Sequence, residues 1–297
     1  RILTSIRPIK ANINRKFNSS YLRVPERPDW SYQLGLDTNT GILENGRSIG
    51  RPDSRSQALN YNLESGVQLR QDLDLQGRYS RGYTDTDFRE NRSRSTNTSW
   101  PDLQARWGGL EKLGVLDQSI QQGELRFDWR ETSVATGPKD QAPITTTETL
   151  TITPALLLTW KNQLNSSLNV SYSTNSNDTQ GSRSETSNFS VGMELKKTFR
   201  GGGGLKLFGK GLDWSNEMEA TLQMAYARTG GERFQPGSTL SEPIPKTTSL
   251  SIDPLVRYTF SKNINGSGFI GYGRTFTEQT GQTTTAVRLG VTAIINF

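Results

Sequence analysis

The feature that most constrains this chain is a two-residue alternation that recurs along its length. It is clearest in the final segment, TTTAVRLGVTAIINF (283–297). Thr285, Val287, Leu289, Val291, Ala293, Ile295 and Phe297 form one set, and Ala286, Arg288, Gly290, Thr292, Ile294 and Asn296 form the other. Successive side chains of a strand point to opposite faces, so the segment predicts a strand with one apolar and one mostly polar face. The same pattern places Leu59, Tyr61, Leu63, Val67 and Leu69 opposite Asn60, Asn62, Glu64 and Gln68. It returns in Leu150–Trp160, from Phe189 to Leu195, from Met218 to Tyr226 and from Leu250 to Phe260. Helical spacing appears only near GLEKLGVLDQSI (109–120), where a short helix is expected.

Alternation alone fits both a half-buried soluble sheet and a transmembrane barrel. Composition separates them. Only 32% of the 297 residues are hydrophobic, against about 45–50% apolar, glycine included, in ordinary soluble domains. A disordered chain is equally polar, but it would not keep aromatic residues in register with Leu and Val. A barrel in lipid needs apolar side chains on only one half of each strand, because water fills the other side. The expected fold is therefore all-β, an antiparallel transmembrane β-barrel of the outer-membrane type.

Connections supply orientation. RQD (70–72), KNQ (161–163) and SKN (261–263) read as tight turns. The Gly-, Ser-, Thr- and Asn-rich stretches 38–56, 84–99, 133–147, 174–187 and 228–247 read as long loops. Short turns at one end and long loops at the other correspond to periplasmic and extracellular sides. Trp30, Trp100, Trp107, Trp129, Trp160 and Trp214 fall near expected strand ends, as an interfacial aromatic girdle requires. Residues 1–297 read as one barrel section of about thirteen strands. An odd count puts the two termini on opposite sides of the membrane, which points to the C-terminal section of a larger barrel. An open sheet edge is untenable in lipid, so the first strand must pair with upstream strands, another chain or the last strand.

The residue inventory excludes much chemistry. Histidine and cysteine are both absent, which removes the commonest general base, the thiolate metal sites and every Ser-His or Cys-His dyad. No enzyme, cofactor or metal site is expected. GLKLFGKG (204–211) has phosphate-loop spacing, but Gly211 stands where Ser or Thr must hold magnesium. Asp37, Asn39 and Glu44 miss calcium-loop spacing. The net charge is +6, yet Lys and Arg are dispersed singly, so nucleic acid is not an expected partner. Asn60, Asn62, Glu64, Gln68, Arg126, Asp128 and Arg288 are expected to face a hydrated pore.

The terminal Phe297, with Ile295, Ala293 and Val291 at alternate positions upstream, resembles the recognition signal read by the outer-membrane barrel-assembly machinery. A second stretch is more particular. WPDLQARWGGLEKL (100–113) resembles a recurring element of the SprA family, the large outer-membrane translocon of the type 9 secretion system; Trp100, Pro101, Asp102, Trp107, Gly109, Leu110 and Lys112 carry the likeness. The block SLSIDPLVRYTFSKNINGSGFIGYGRTFTEQTGQTTTAVRLGVTAIINF also looks like that family's C-terminal strands. The resemblance implies a protein-conducting channel that passes folded proteins across the outer membrane, with energy supplied elsewhere. It also implies other subunits of a secretion complex, a plug, a cargo-shuttle barrel and secreted proteins as substrate. A stand-alone porin for small polar solutes is the alternative.

Overall fold

In the computed structural model, residues 6–20, 27–34, 43–44, 47–48, 54–88, 91–114, 116–200, 205–207, 210–212, 216–238, 240–261 and 263–295 are described. The strands in chain order are β1 Lys10–Ser20, β2 Leu43–Glu44, β3 Arg47–Ser48, β4 Ser54–Arg70, β5 Leu73–Phe88, β6 Asn91–Gly108, β7 Ile120–Pro138 and β8 Thr145–Trp160. They continue with β9 Leu164–Thr179, β10 Ser182–Phe199, β11 Leu205–Leu207, β12 Lys210–Leu212, β13 Met218–Phe234, β14 Ser241–Ser261, β15 Ile264–Thr277 and β16 Gln282–Ile295. Twelve of these form one antiparallel sheet in the order β1-β4-β5-β6-β7-β8-β9-β10-β13-β14-β15-β16. Each long strand pairs with its neighbours in sequence, the up-and-down pattern that two-faced hairpins generate. β2–β3 and β11–β12 are separate two-stranded ribbons.

Register carries the alternation across the whole sheet. Leu59 pairs with Tyr83 and Asn60 with Gly82. Ile152 pairs with Tyr172, and Tyr172 with Phe189. Ile270 pairs with Leu289, and Gly271 with Arg288. Most of the Leu, Val and aromatic residues thus share one face from β1 to β16 and most amides and charges the other, with Leu157, Leu255 and Phe269 as exceptions on the polar face.

Four of the expected loops are strand. Described residues in 84–99, 133–147, 174–187 and 228–247 extend β5–β6, β7–β8, β9–β10 and β13–β14 well beyond the apolar stretch, with 139–144, 180–181 and 235–240 as the connections described in part or whole. Hydroxyl-rich segments keep strand geometry when both faces meet water, because Thr is β-branched and backbone pairing continues unaided. At the β9–β10 tip, Gln180 and Gly181 both have positive φ (51° and 83°) and the Asp178 carboxylate accepts the Gly181 N–H at 3.1 Å, a twist-matched tight hairpin. Loop length is therefore not sorted cleanly by end. The strand ends Gly108 and Ile120, and Phe199 and Met218, lie at the same end as the turns 161–163 and 71–72, and the chain between each of these pairs is longer than a tight turn.

The expected helix near 109–120 is only a 3-10 turn, Leu110–Lys112. Gly109 opens it at φ 73°, where a side chain would be strained. Leu110 folds back onto Gly123, whose missing side chain makes room: a Cβ there would sit 2.8 Å from Leu110 Cβ and 3.1 Å from Leu158 Cδ2. Leu110 and Ile120 are the buried apolar side chains among the described residues. A one-turn helix, Trp30–Gln33, lies in the β1–β4 connection.

The main sheet holds an even number of described strands where about thirteen were expected. Lys10 and Ile295 therefore lie at the same end, and the parity argument for a barrel section does not apply to this sheet. β1 and β16 are its two edges, and the sheet is not closed among the described residues.

Candidate functional site

Among the described residues the sheet has no hydrophobic interior, and its apolar face is uncovered. Leu63, Leu75, Leu103, Leu125, Leu168, Val256, Leu289 and Val291 are all exposed by more than a third. They lie on one face. A soluble protein rarely leaves so large a contiguous apolar surface in water.

Aromatic residues bound this surface above and below. Trp107, Trp160, Phe199, Tyr258 and Phe260 stand along the edge nearest the short turns. Trp100, Trp129, Tyr172, Phe189, Tyr226 and Tyr272 stand along the other. Both rows step obliquely across the register, as in tilted strands. From Phe189 to Phe199 the chain rises about 33 Å, which a tilt of roughly 40° reduces to about 25 Å, the height of a barrel's lipid-facing band. The rings also pair edge to face: Tyr79 with Trp100 at 6.1 Å, Phe189 with Tyr226 at 6.3 Å, and Tyr258 with Phe260 at 4.7 Å.

The structure modifies the expected girdle. Trp107 and Trp160 lie at strand ends. Trp100 and Trp129 lie mid-strand, because β6 and β7 run on past the band. Trp30 sits in the one-turn helix, outside both rows. Trp214 lies outside the described residues. The tyrosines and phenylalanines that complete the rows were not singled out by sequence, although each alternates in phase with a Leu or Val.

The opposite face is polar and densely paired. Asn60, Asn62, Glu64 and Gln68 on β4, Arg126 and Asp128 on β7, and Arg288 on β16 all lie on it. Arg78 reaches Glu64 at 3.4 Å and Asp102 at 3.9 Å, and Arg130 reaches the same Asp102 at 3.2 Å. Arg106 donates to Glu124 at 2.6 Å, and Arg126 also pairs with Glu124. Lys196 and Arg257 share Glu219 at 2.8 and 3.2 Å. Arg288 on β16 reaches Asp253 on β14 at 2.8 Å, passing over Gly271 of the strand between, where a Cβ would lie 2.5 Å from the Asp253 carboxylate. A depression of about 500 Å³ on this face is lined by Arg126, Asp128, Asn169, Ser171 and Ser190. Large apolar intruders are few; Phe269 lies flat over Gly290.

Of the terminal recognition pattern, Val291, Ala293 and Ile295 lie on the apolar face of β16, while Phe297 lies outside the described residues. In the stretch shared with the SprA-like element, Asp102 is 5% exposed and anchors the Arg78–Arg130 pair, and Gly109 and Leu110 form the tucked turn. The phosphate-loop-like GLKLFGKG contributes β11 and β12, which pair as a hairpin; Gly204, Phe208 and Gly209 lie outside the described residues. Of the calcium-loop-like residues, Asp37 and Asn39 lie outside them and Glu44 ends β2.

Beyond the upper aromatic row, charges return to the band's own face. Asp85 accepts from Arg94 at 2.7 and 3.0 Å and from Lys139 at 3.0 Å. The Arg94 hydrogen bonds, and then Lys139, hold the Asp85 carboxyl down at about 2 despite partial burial. A lowered folded-state pKa stabilises above the unfolded value of about 4. That contribution is lost as pH falls from about 4 through about 2. Hydrogen exchange in the β5–β6–β7 extension should therefore accelerate across this window, while Asp85→Asn should flatten the dependence. An unchanged pH profile in Asp85→Asn would remove the ion pair as its source.

No family model and no curated protein matches the chain. Among solved structures it is similar to the translocator domain of autotransporter NalP from Neisseria meningitidis, at 9% identity and a TM-score of 0.27, over 98% of this chain and 88% of that one. It is also similar to OmpT, an outer membrane protein of Vibrio cholerae, at 9% identity and a TM-score of 0.27, over 98% of this chain and 99% of that one. Nothing about activity follows from likenesses this distant. The fold class rests on the sheet itself: all-β and antiparallel, of the outer-membrane barrel type, with both edges open among the described residues.

Proposed function

We propose that the chain forms the wall of a protein-conducting channel in the bacterial outer membrane, one section of a wide translocon pore for folded proteins. One observation carries this reading: an uncovered apolar band, edged by aromatic rows, backs directly onto a continuous polar face. The band's height matches lipid, and the polar face suits a hydrated lumen. Ion-paired arginines and carboxylates, with interspersed Ser and Asn, offer passing cargo many weak contacts and little apolar surface. Their mutual pairing also leaves little unsatisfied charge to trap a substrate. The likeness of 100–113 and of the final strands to the SprA family supports the translocon over other pores, and with it a plug and a cargo-shuttle barrel as partners.

A stand-alone porin is the second reading, favoured by the even number of described strands in the sheet. Cysteine labelling separates the two, since the native chain has no cysteine. Asn169→Cys lies on the polar face and Val170→Cys on the band. In membranes, Asn169→Cys should react with a water-soluble maleimide and Val170→Cys should not. For the translocon, Asn169→Cys should also react with a maleimide attached to a small folded protein. Reaction with the small reagent alone would favour the porin; equal reaction at both positions would sink the two-faced wall.

A further inference from the structure

Just beyond the upper aromatic row, on the band's own face, the sheet hollows into a cavity of about 830 Å³ spanning β6 to β14. The pore reading gives it no role. We propose that this cavity is a saccharide-binding site. Its size suits a small-molecule ligand.

The lining supplies the two things a sugar ring needs. Trp100, Tyr172 and Phe189 contribute aromatic rings, and they remain 57%, 39% and 37% exposed, open to stacking. A pyranose presents a face of C–H groups that packs on such rings. Above them stand Glu131, Glu148 and Glu232. Among the described residues none of these three carboxylates has a hydrogen-bond or ion-pair partner, whereas Glu64, Asp102, Glu124, Glu219 and Asp253 on the polar face are all paired. Free carboxylates beside aromatic rings accept hydrogen bonds from vicinal hydroxyls. Arg183, Arg228 and Lys246 add donors at the rim, although Arg183 pairs with Glu185, and Arg228 and Lys246 already lean towards Glu278 at 3.8 and 3.7 Å.

Other ligand classes fit less well. A polyanion would meet Glu131, Glu148, Glu185 and Glu232 against three cations. A purely apolar ligand would strip water from carboxylates and leave them unpaired. A neutral or weakly charged glycan satisfies both rings and carboxylates. It has two sources: the sugar head group of a glycolipid seated beside the band, or a soluble oligosaccharide. Only the first rests on the membrane reading above.

The test uses the full chain. In sugar-free zwitterionic detergent it is titrated with isomaltohexaose and followed by saturation-transfer NMR. In parallel it is placed in phosphatidylcholine nanodiscs with or without digalactosyl diacylglycerol, and retained lipid is identified by native mass spectrometry. Saturation transfer or selective retention is expected, with Trp100→Ala and, separately, Glu148→Gln each weakening it about tenfold. The conservative Glu148→Gln guards against loss of fold, which circular dichroism checks. Retention of lipid alone assigns a glycolipid, and transfer to the hexasaccharide alone assigns a soluble glycan. No binding of either probe, or undiminished binding in both variants, overturns the site. Quenching of tryptophan by brominated lipid reports membrane insertion independently: its absence with sugar binding intact would sink the membrane reading and leave the site.

Discussion

Arginine in place of Leu168 should prevent stable insertion into bilayers. Leu168 pairs with Leu156 on β8 and Met193 on β10, midway between the aromatic rows, and its side chain is exposed on the apolar face. If lipid covers that face, a cation there sits near the bilayer centre, at a cost of about 2–4 kcal/mol. Its neighbour Asn169 points to the opposite face. Asn169→Arg adds the same charge one residue away and should change stability by no more than about 0.5 kcal/mol. Urea titration of the refolded protein in phosphatidylcholine vesicles measures both. Equal penalties would mean that the two faces meet similar surroundings. A negligible penalty at Leu168 would mean that protein, not lipid, covers the band. No interaction inside the sheet could offset the large penalty, since Leu168 has no buried neighbour to shift.

What was legible in the sequence follows from what periodicity can report. Wherever one face is apolar and the other polar, as in Leu59–Leu69 or Leu150–Trp160, the two-residue period is strong and the strand is found. Where both faces meet water, the period vanishes. The outer parts of β9 and β10, TNSNDT and SRSETS, therefore read as loops although they are strand. Thr, Ser and Asn are common to turns and to solvated strands, so composition does not distinguish them. The aromatic rows were half legible: tryptophan marks an interface by type, but Tyr172, Phe189 and Tyr226 mark it only once register sets them level. Trp30 lies in the one-turn helix of the β1–β4 connection, a position that residue type alone does not reveal.

The polar face and the cavity illustrate a different limit. Glu64 and Gln68 were assigned to the pore side from β4 alone. Arg78, Asp102 and Arg130, which form the ion-pair network around Glu64, come from three strands and meet only through pairing. The bulge between Ser99 and Asp102 shifts β6 against β7, and no local pattern announces it. Likewise Glu131, Glu148 and Glu232 lie on β7, β8 and β13, and they converge because the extensions curl together. Pairwise register, not local propensity, builds both the lumen face and the cavity.

Register also decides the last large effect, at the open edges. β1 and β16 each expose a ladder of N–H and C=O groups, and each unsatisfied group in hydrocarbon costs several kcal/mol. Over a strand the length of β16 no burial of Val287, Leu289 and Val291 compensates for that loss. Both edges must therefore be covered whenever the protein stands in lipid. β1 and β16 run antiparallel to one another, so they are able to pair together and close a twelve-stranded barrel. The translocon reading has each of them continue into further strands of a wider sheet. Disulfide trapping distinguishes the two, because directly opposed antiparallel residues bring Cβ atoms within bonding range. Ile13→Cys with Tyr61→Cys, opposed between β1 and β4, should cross-link and serves as the reference. Ile13→Cys combined in turn with Val287→Cys, Leu289→Cys and Val291→Cys, all on the same face, scans the possible closures. In the protein as expressed in membranes, the wider-barrel reading expects no disulfide at any of the three. A disulfide at one of them, as efficient as the reference, would mean that the sheet closes on itself, and the lumen would then be too narrow for folded cargo.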